Sequence, residues 1–336
     1  MPLPTSPPQP PGGDSRSLVR EDSRSADAWR DPALAFLRPF LDDDAVTDVF
    51  VNGEAGLFVD HGDGPQRIPG WWAPEADVRR LAVRLIAMGD RHLDDASPCV
   101  DVRLPDGIRV HAVLAPIASS GTAISIRVAR WAAPDLDRLQ RTGMFDAVGR
   151  ARLEGLVAGR ANVLVTGATG AGKTTLLSAL LGRVPARERL ITIEEVAELR
   201  PRHPHHVALE ARQPNLEGAG GIDLARLVRE ALRMRPDRLV VGECRGPEIR
   251  DLLMALNTGH DGGAGTLHAG GLGEVPARLE ALGALAGMDA TATARQVASA
   301  ITWVIHVERG PRGRRIAGVG RPVVRDGRLE IAGESW

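Results

Sequence analysis

Residues 165–175 read VTGATGAGKTT, three glycines, a lysine and paired threonines directly behind an apolar run. Glycine weakens strands and helices alike, so bare backbone must serve something there. The spacing Gly167-x-x-x-x-Gly172-Lys173-Thr174 is that of a phosphate-binding loop. Its glycines let the backbone of Gly167, Ala168, Thr169, Gly170, Ala171, Gly172, Lys173, Thr174 and Thr175 wrap the β- and γ-phosphates of ATP. Lys173 supplies a point charge, and the Thr174 hydroxyl suits Mg²⁺. The acids such a loop needs are also present. LVVGE (239–243) brings Glu243 to the end of an apolar run, where it can hold or orient Mg²⁺, partly through water. An Asp more often follows such a run directly; here Gly242 takes that place. ITIEE (191–195) offers Glu194 and Glu195, and a carboxylate beside the γ-phosphate can position or deprotonate the attacking water. Neighbouring strand residues face opposite ways, so these two should not share a role. Glu198 reads as the acidic start of a helix. AGTLH (264–268) ends on His268, which either bonds a phosphate or is a satisfied structural group.

Ahead of the phosphate loop, Asn162 to Val165 is short, apolar and β-branched, as a buried strand is. Leu176, Leu177, Leu180 and Leu181 recur at helical spacing. A strand, a glycine loop and a helix in that order leave unpaired N–H groups and a positive dipole end at the loop. From about Phe145 onward, the strands NVLVTG, RLITIEE, DRLVVGE, GAGTLHA and TWVIHVE alternate with helices. That alternation predicts a mostly parallel sheet covered on both faces, with ligands beyond the carboxyl ends of the strands. All four polar groups fall at such ends. Leu224, Leu227, Val228, Ala231 and Leu232 line one helix face ahead of Pro236. The arginines of the same stretch, Arg229, Arg233, Arg235 and Arg238, face a neighbouring subunit or solvent. His203, His205 and His206 lack a Cys or carboxylate at ligand spacing and read as a surface loop.

The chain divides into a Pro-rich tail (1–28), an α+β N-terminal domain (29–130), a linker with a short helix (131–144) and a P-loop domain (145–336). The length of 336 residues suffices for two cores. In the first domain AVTDVFVNG, GLFVD, CVDVR, IRVHAVL and AISIRV alternate as half-buried strands, and Pro74 opens a helix to about Ala87. The tail has no hydrophobic stretch of the signal-peptide kind and is expected to be disordered. No window approaches the run of about 18 apolar residues that a spanning helix needs. The formal net charge of −1 and an aromatic content of 3% speak against a nucleic-acid binder working by bulk charge or stacking, and no stable nucleic acid is expected. Two distant cysteines suggest reduced thiols in a cytosolic protein.

GATGAGKTT, ITIEEVAEL, LRMRPDRLVVGECRG and NTGHDGGAGTLHA follow, in order, the motifs of the secretion and pilus-assembly ATPases. The chain resembles their CpaF-like, TadA-type tight-adherence pilus branch, which lies near the conjugation-type secretion ATPases. VTDVFVNG, LPDGIRVHAVLAPI and ISIRV are similar to that family's N-terminal domain. The resemblance implies RecA-like domains in a hexameric, cytoplasmic ring. The ring would lie at the inner face of the cytoplasmic membrane, beside polytopic platform proteins, with ATP hydrolysis driving pilin assembly or secretion. By motif, Glu243 belongs to an atypical Walker B, Glu194 to an acidic box and His268 to a histidine box. Arg109 and Arg127 stand where the family's N-terminal domain supplies arginines to the nucleotide. The acidic box here is Glu-Glu rather than Glu-Asp, and Ala168 and Ala171 replace a common Gly and Ser of the loop. Two other readings compete. One is a nucleotide-sensing scaffold without turnover. The other is a DNA-translocating ATPase.

Overall fold

The computed structural model describes residues 32–43, 45–62, 64–104, 107–128, 135–212, 219–311 and 313–335. The tail expected over 1–28, the Pro105-Asp106 turn and residues 131–134 of the expected linker lie outside them. The chain forms two compact units that meet in sequence at Ala129 and Arg130.

In the first unit, helical turns at Pro32–Leu37 and Arg38–Leu41 precede β1 (Asp48–Asn52), β2 (Leu57–Asp60) and β3 (Pro65–Arg67). Helix α1 (Glu75–Ala87), β4 (Cys99–Arg103), β5 (Arg109–Val113) and β6 (Ala123–Arg127) follow. The strands form one antiparallel sheet in the order β3-β2-β1-β6-β5-β4. Val78, Leu81, Ala82, Leu85 and Ile86 recur every three or four residues, so α1 carries one apolar face. That face shares a core with Val49, Val51, Val110, Ala112, Ile124 and Ile126. Alternation sends the intervening strand residues to the opposite face. Residues directly opposite across antiparallel strands share a face. Arg127 stands opposite Asp48 on β1 and opposite Arg109 on β5, so both arginines fall in one row.

The second unit begins with the short helix α2 (Leu136–Arg141) and with α3 (Ala147–Ala158), followed by β7 (Val163–Gly167) and α4 (Lys173–Leu181). It continues through β8 (Leu190–Glu194), β9 (His206–Glu210), α5 (Leu224–Leu232), β10 (Arg238–Val241), α6 (Glu248–Asn257) and β11 (Ala264–His268). Helices α7 (Val275–Leu285) and α8 (Ala290–Ala300) lead to β12 (Trp303–Gly310), β13 (Gly313–Arg325) and β14 (Arg328–Glu334). The sheet order is β14-β13-β12-β7-β11-β10-β8-β9; β12 through β9 run parallel, and β13 and β14 antiparallel. Successive residues serve opposite layers, as a sheet buried on both faces requires. Leu164, Ile193 and Val241 pack toward α5–α8, whereas Val163, Val165 and Val240 pack with α2–α4.

The expected five strands are present, and three more extend the sheet at its edges. The segment 203–206 is only partly a loop, because His206 opens β9 and its Nε2 bonds Thr192 Oγ1 at 2.9 Å. The hairpin β13–β14 turns on Asp326 and Gly327, both with positive φ, the pairing that a two-residue hairpin loop favours. Arg238 departs from the reading of its stretch as a surface. It is 2% exposed, its Nε bonds Glu188 Oε2 at 2.6 Å, and its Nη2 donates to the Val157 carbonyl. A fully paired guanidinium there ties β10 to α3, so this arginine is structural.

Candidate nucleotide site

The carboxyl ends of β7, β8, β10 and β11 align. Register places His268 beside Gly167, and Val241 beside both Ile193 and Gly265. The residues following each strand therefore emerge at one edge. Beyond β7 the loop 167–172 turns into α4 through Gly172, whose φ of +98° is left-handed. A side chain at Gly172 would be strained there, whereas glycine adopts it freely. The first N–H groups of α4 are thereby left facing the loop, where an anion would lie.

Lys173 is buried and curls back over its own loop. Its Nζ donates to the carbonyls of Gly167 and Ala168, each at 3.0 Å. Burial pushes its ammonium below the ordinary lysine range, and the Glu243 carboxylate works against that shift. Glu243 is ringed by cationic and donor groups. Arg245 Nη2 lies 2.6 Å from its Oε2, and His268 Nε2 lies 2.6 Å from its Oε1. At 2.6 Å only a proton on Nε2 makes the histidine contact attractive, which leaves no lone pair for Lys173 Nζ, 3.5 Å away. The N–H is nevertheless poorly aimed. Glu243 Oε1 is shielded from water and receives no well-directed hydrogen bond. Burial pushes the His268 pKa below the ordinary value, against the pull of Glu243.

Glu194 ends β8, buried, with its carboxylate turned onto following backbone. Oε1 accepts from the N–H groups of Glu198 and Leu199 at 3.1 Å. Glu195 takes the other direction and lies 3.4 Å from Arg245 Nη1. The close approach of Glu194 explains Gly242. A Cβ built on Gly242 would lie 2.4 Å from Glu194 Cγ, so no larger residue fits there and the acid is deferred to position 243. Gly242→Ala should lower unfolding stability by about 1–3 kcal/mol, the range for overpacking. It should also slow any turnover, because Glu194 must shift. Chemical denaturation compared with wild type checks this, and an unchanged midpoint would mean that Glu194 yields freely.

The turn after Glu243 is held from within. Buried Glu248 accepts from the N–H groups of Arg245 and Gly246 at 2.6 and 2.8 Å. Cys244 is buried and burial raises its pKa, so the thiol is inert packing; both cysteines are free. One residue of this cluster escaped the sequence reading and another was misread. Arg245 follows Glu243 by two positions and was legible as a charge beside an acid. Glu198, read from the sequence as the acidic start of a helix, lies in a segment that forms no helix; its charge instead acts on Lys173, raising its pKa, a nearness that spacing alone does not reveal. His260 is structural, its Nδ1 3.2 Å from the Ala255 carbonyl at the end of α6. Among the described residues no cluster of His, Cys, Asp or Glu forms a metal cage.

Arg109 and Arg127 belong to the first unit and lie side by side on the open face of its sheet. Arg109 Nε bonds both oxygens of Asp101, at 2.8 and 3.0 Å, and Arg127 Nε bonds Asp48 Oδ1 at 3.2 Å. Both remain substantially exposed, so these pairs are weak restraints.

Several known proteins are similar to this chain. A protein of Mycobacterium tuberculosis (strain H37Rv), named provisionally for conjugal transfer, is 51% identical over 285 residues, covering 83% of this chain and 81% of its own. The type IV secretion system protein PtlH of Bordetella pertussis is 34% identical over 260 residues, covering 70% and 76%. Among solved structures, the ATPase DotB of Legionella pneumophila matches with a TM-score of 0.57 at 21% identity, over 89% of this chain and 80% of that one. The pilus retraction motor PilT with bound ADP matches at 0.59 and 18%, over 90% and 82%. The last two share the fold, an α/β unit of RecA-like type behind a smaller α+β unit. Residues 32–310 match the model of the type II/IV secretion system proteins, and the chain belongs to that family.

Proposed function

We propose that this chain is an ATP-hydrolysing motor of a secretion or pilus-assembly machine, working as a hexameric ring. The observation that carries the reading is Glu243 Oε1, a buried carboxylate oxygen without an aligned donor beside the phosphate-loop lysine. Such an oxygen suits a water or cation better than a packing role. Lys173 exchanges its carbonyl partners for phosphate oxygens, which accept stronger, charge-assisted bonds. Thr174 and Glu243 would hold Mg²⁺, partly through water, and that ion supplies charge neutralisation at the β- and γ-phosphates. Glu194 positions or deprotonates the attacking water. His268 stands beside Glu243 and Lys173, where it would bond a phosphate. Steady-state phosphate release from purified wild-type rings tests the whole. ATP uptake without turnover would favour the nucleotide-sensing scaffold instead.

Among the described residues no helix is long and apolar enough to cross a membrane. Contact with a membrane machine is proposed to run through platform proteins at the cytoplasmic face. A second reading, conjugation-type DNA translocation, is favoured by the conjugal-transfer naming of the 51% identical relative. DNA-stimulated ATP hydrolysis that fades with rising salt would establish it.

Arg127 is proposed to reach the nucleotide, with Arg109 beside it. An arginine at the γ-phosphate is worth about 10³ to 10⁵ in rate. Lys173→Ala subunits keep every arginine, and Arg127→Ala subunits keep an intact loop. Rings mixed from the two should regain part of the ATPase activity that neither shows alone, if Arg127 serves a neighbour. No recovery in rings shown to be mixed would place it within its own chain. Full activity of Arg127→Ala alone would remove it from catalysis.

A further inference from the structure

The start of β13, where it pairs with β12, lies beyond residues 32–310, which the family model matches, yet it touches the phosphate loop. Arg314 Nε donates to the Gly170 carbonyl at 3.0 Å. Its stem runs along Gly172, since a Cβ built there would lie 2.9 Å from Arg314 Cδ and 3.3 Å from Met144 Cε. The contact is anchored two residues on, where the Ile316 N–H bonds the Met144 carbonyl at 2.9 Å.

A peptide group is planar and trans, so its C=O and N–H point in opposite directions. Whatever grips the Gly170 carbonyl therefore aims the Ala171 N–H. Here that N–H points back into the loop, 3.3 Å from the Ala168 carbonyl, the same oxygen that Lys173 Nζ occupies at 3.0 Å. A phosphate-binding loop works only when its N–H groups face inward and its carbonyls outward. Three glycines give this loop freedom to turn peptides the wrong way, and that freedom has to be removed somewhere.

We propose that Arg314 is a positioning residue of the nucleotide site: from the β12–β13 hairpin it holds the Gly170 carbonyl outward and so presents the Ala171 N–H to the phosphates. This rests on the nucleotide reading above. Arg315, the next residue, is likewise exposed, pairs with Glu308 along the hairpin and makes a control of equal charge.

The test is calorimetric titration of wild-type, Arg314→Ala, Arg314→Lys and Arg315→Ala protein with MgADP, and displacement of MgADP by magnesium pyrophosphate. Arg314→Ala should weaken both probes about three- to tenfold, the loss expected for one charge-assisted bond at an exposed site. Arg314→Lys, which keeps a donor, should recover part of it, and Arg315→Ala should bind as wild type. All four should melt alike. Equal binding by wild type and Arg314→Ala overturns the inference. So does a loss for MgADP with none for pyrophosphate, which would place Arg314 against the nucleoside instead. An equal loss in Arg315→Ala overturns it too, by reducing the effect to general charge. Wild-type protein that takes up no MgADP overturns the nucleotide reading itself, and this inference with it.

Discussion

Lys173→Ala is expected to abolish ATP hydrolysis and to weaken ATP binding at least tenfold, by roughly 1.4 kcal/mol or more. The residue is buried at the loop with its Nζ on two loop carbonyls, poised to be drawn onto phosphate. Alanine removes the only cation of the loop itself and leaves those carbonyls without their donor. A charged hydrogen bond is worth about 1.5–3 kcal/mol, and loss of such stabilisation at a transition state costs about 10²- to 10³-fold in rate. Equilibrium binding of a fluorescent ATP analogue and phosphate-release kinetics would measure both. The melting temperature should fall little, because the buried ammonium is itself costly to desolvate. Wild-type turnover in this variant would mean that the site lies elsewhere.

Glu243→Gln should retain ATP and lose turnover by about two orders of magnitude. Glutamine keeps the shape but not the charge that faces Arg245, His268 and Lys173. The same substitution should change pH dependence in a defined direction. Glu243 raises the pKa of Lys173 against the lowering caused by burial. Without it the lysine loses its proton at lower pH, so ATP affinity should decline earlier on the alkaline side than in wild type. Dissociation constants across pH 7 to about 10 test this. A Glu243→Gln protein unable to bind ATP at any pH would make Glu243 a folding residue. An alkaline limb that does not move would show that its charge is not felt at the lysine.

Local pattern carried much of the fold. The strand–loop–helix around residues 163–181 was readable because each part has its own signal: β-branched apolar residues, glycines, then leucines at helical spacing. The face of α1 was readable for the same reason. The edge strands were harder. His206–Glu210 follows a histidine- and proline-rich run that reads as loop, and it becomes a strand because β8 offers an unpaired edge. The hairpin at 326–327 had a legible Asp-Gly turn, but its arginine-rich strands lack the continuous apolar character that marked the others.

The sequence by itself determined the phosphate loop, the strand ends that carry Glu194, Glu243 and His268, and the mostly parallel character of the sheet. These follow from spacing within a few residues, where backbone geometry leaves little choice. Only the tertiary structure decided what each charge faces. Arg238 became a buried strut once Glu188, fifty residues earlier, came within 2.6 Å. Gly242 became necessary once Glu194 occupied the space of its side chain. Arg314 met the phosphate loop from 144 residues away. Charge pairing acts over a few ångströms through space and carries no periodicity along the chain, so no local pattern announces it.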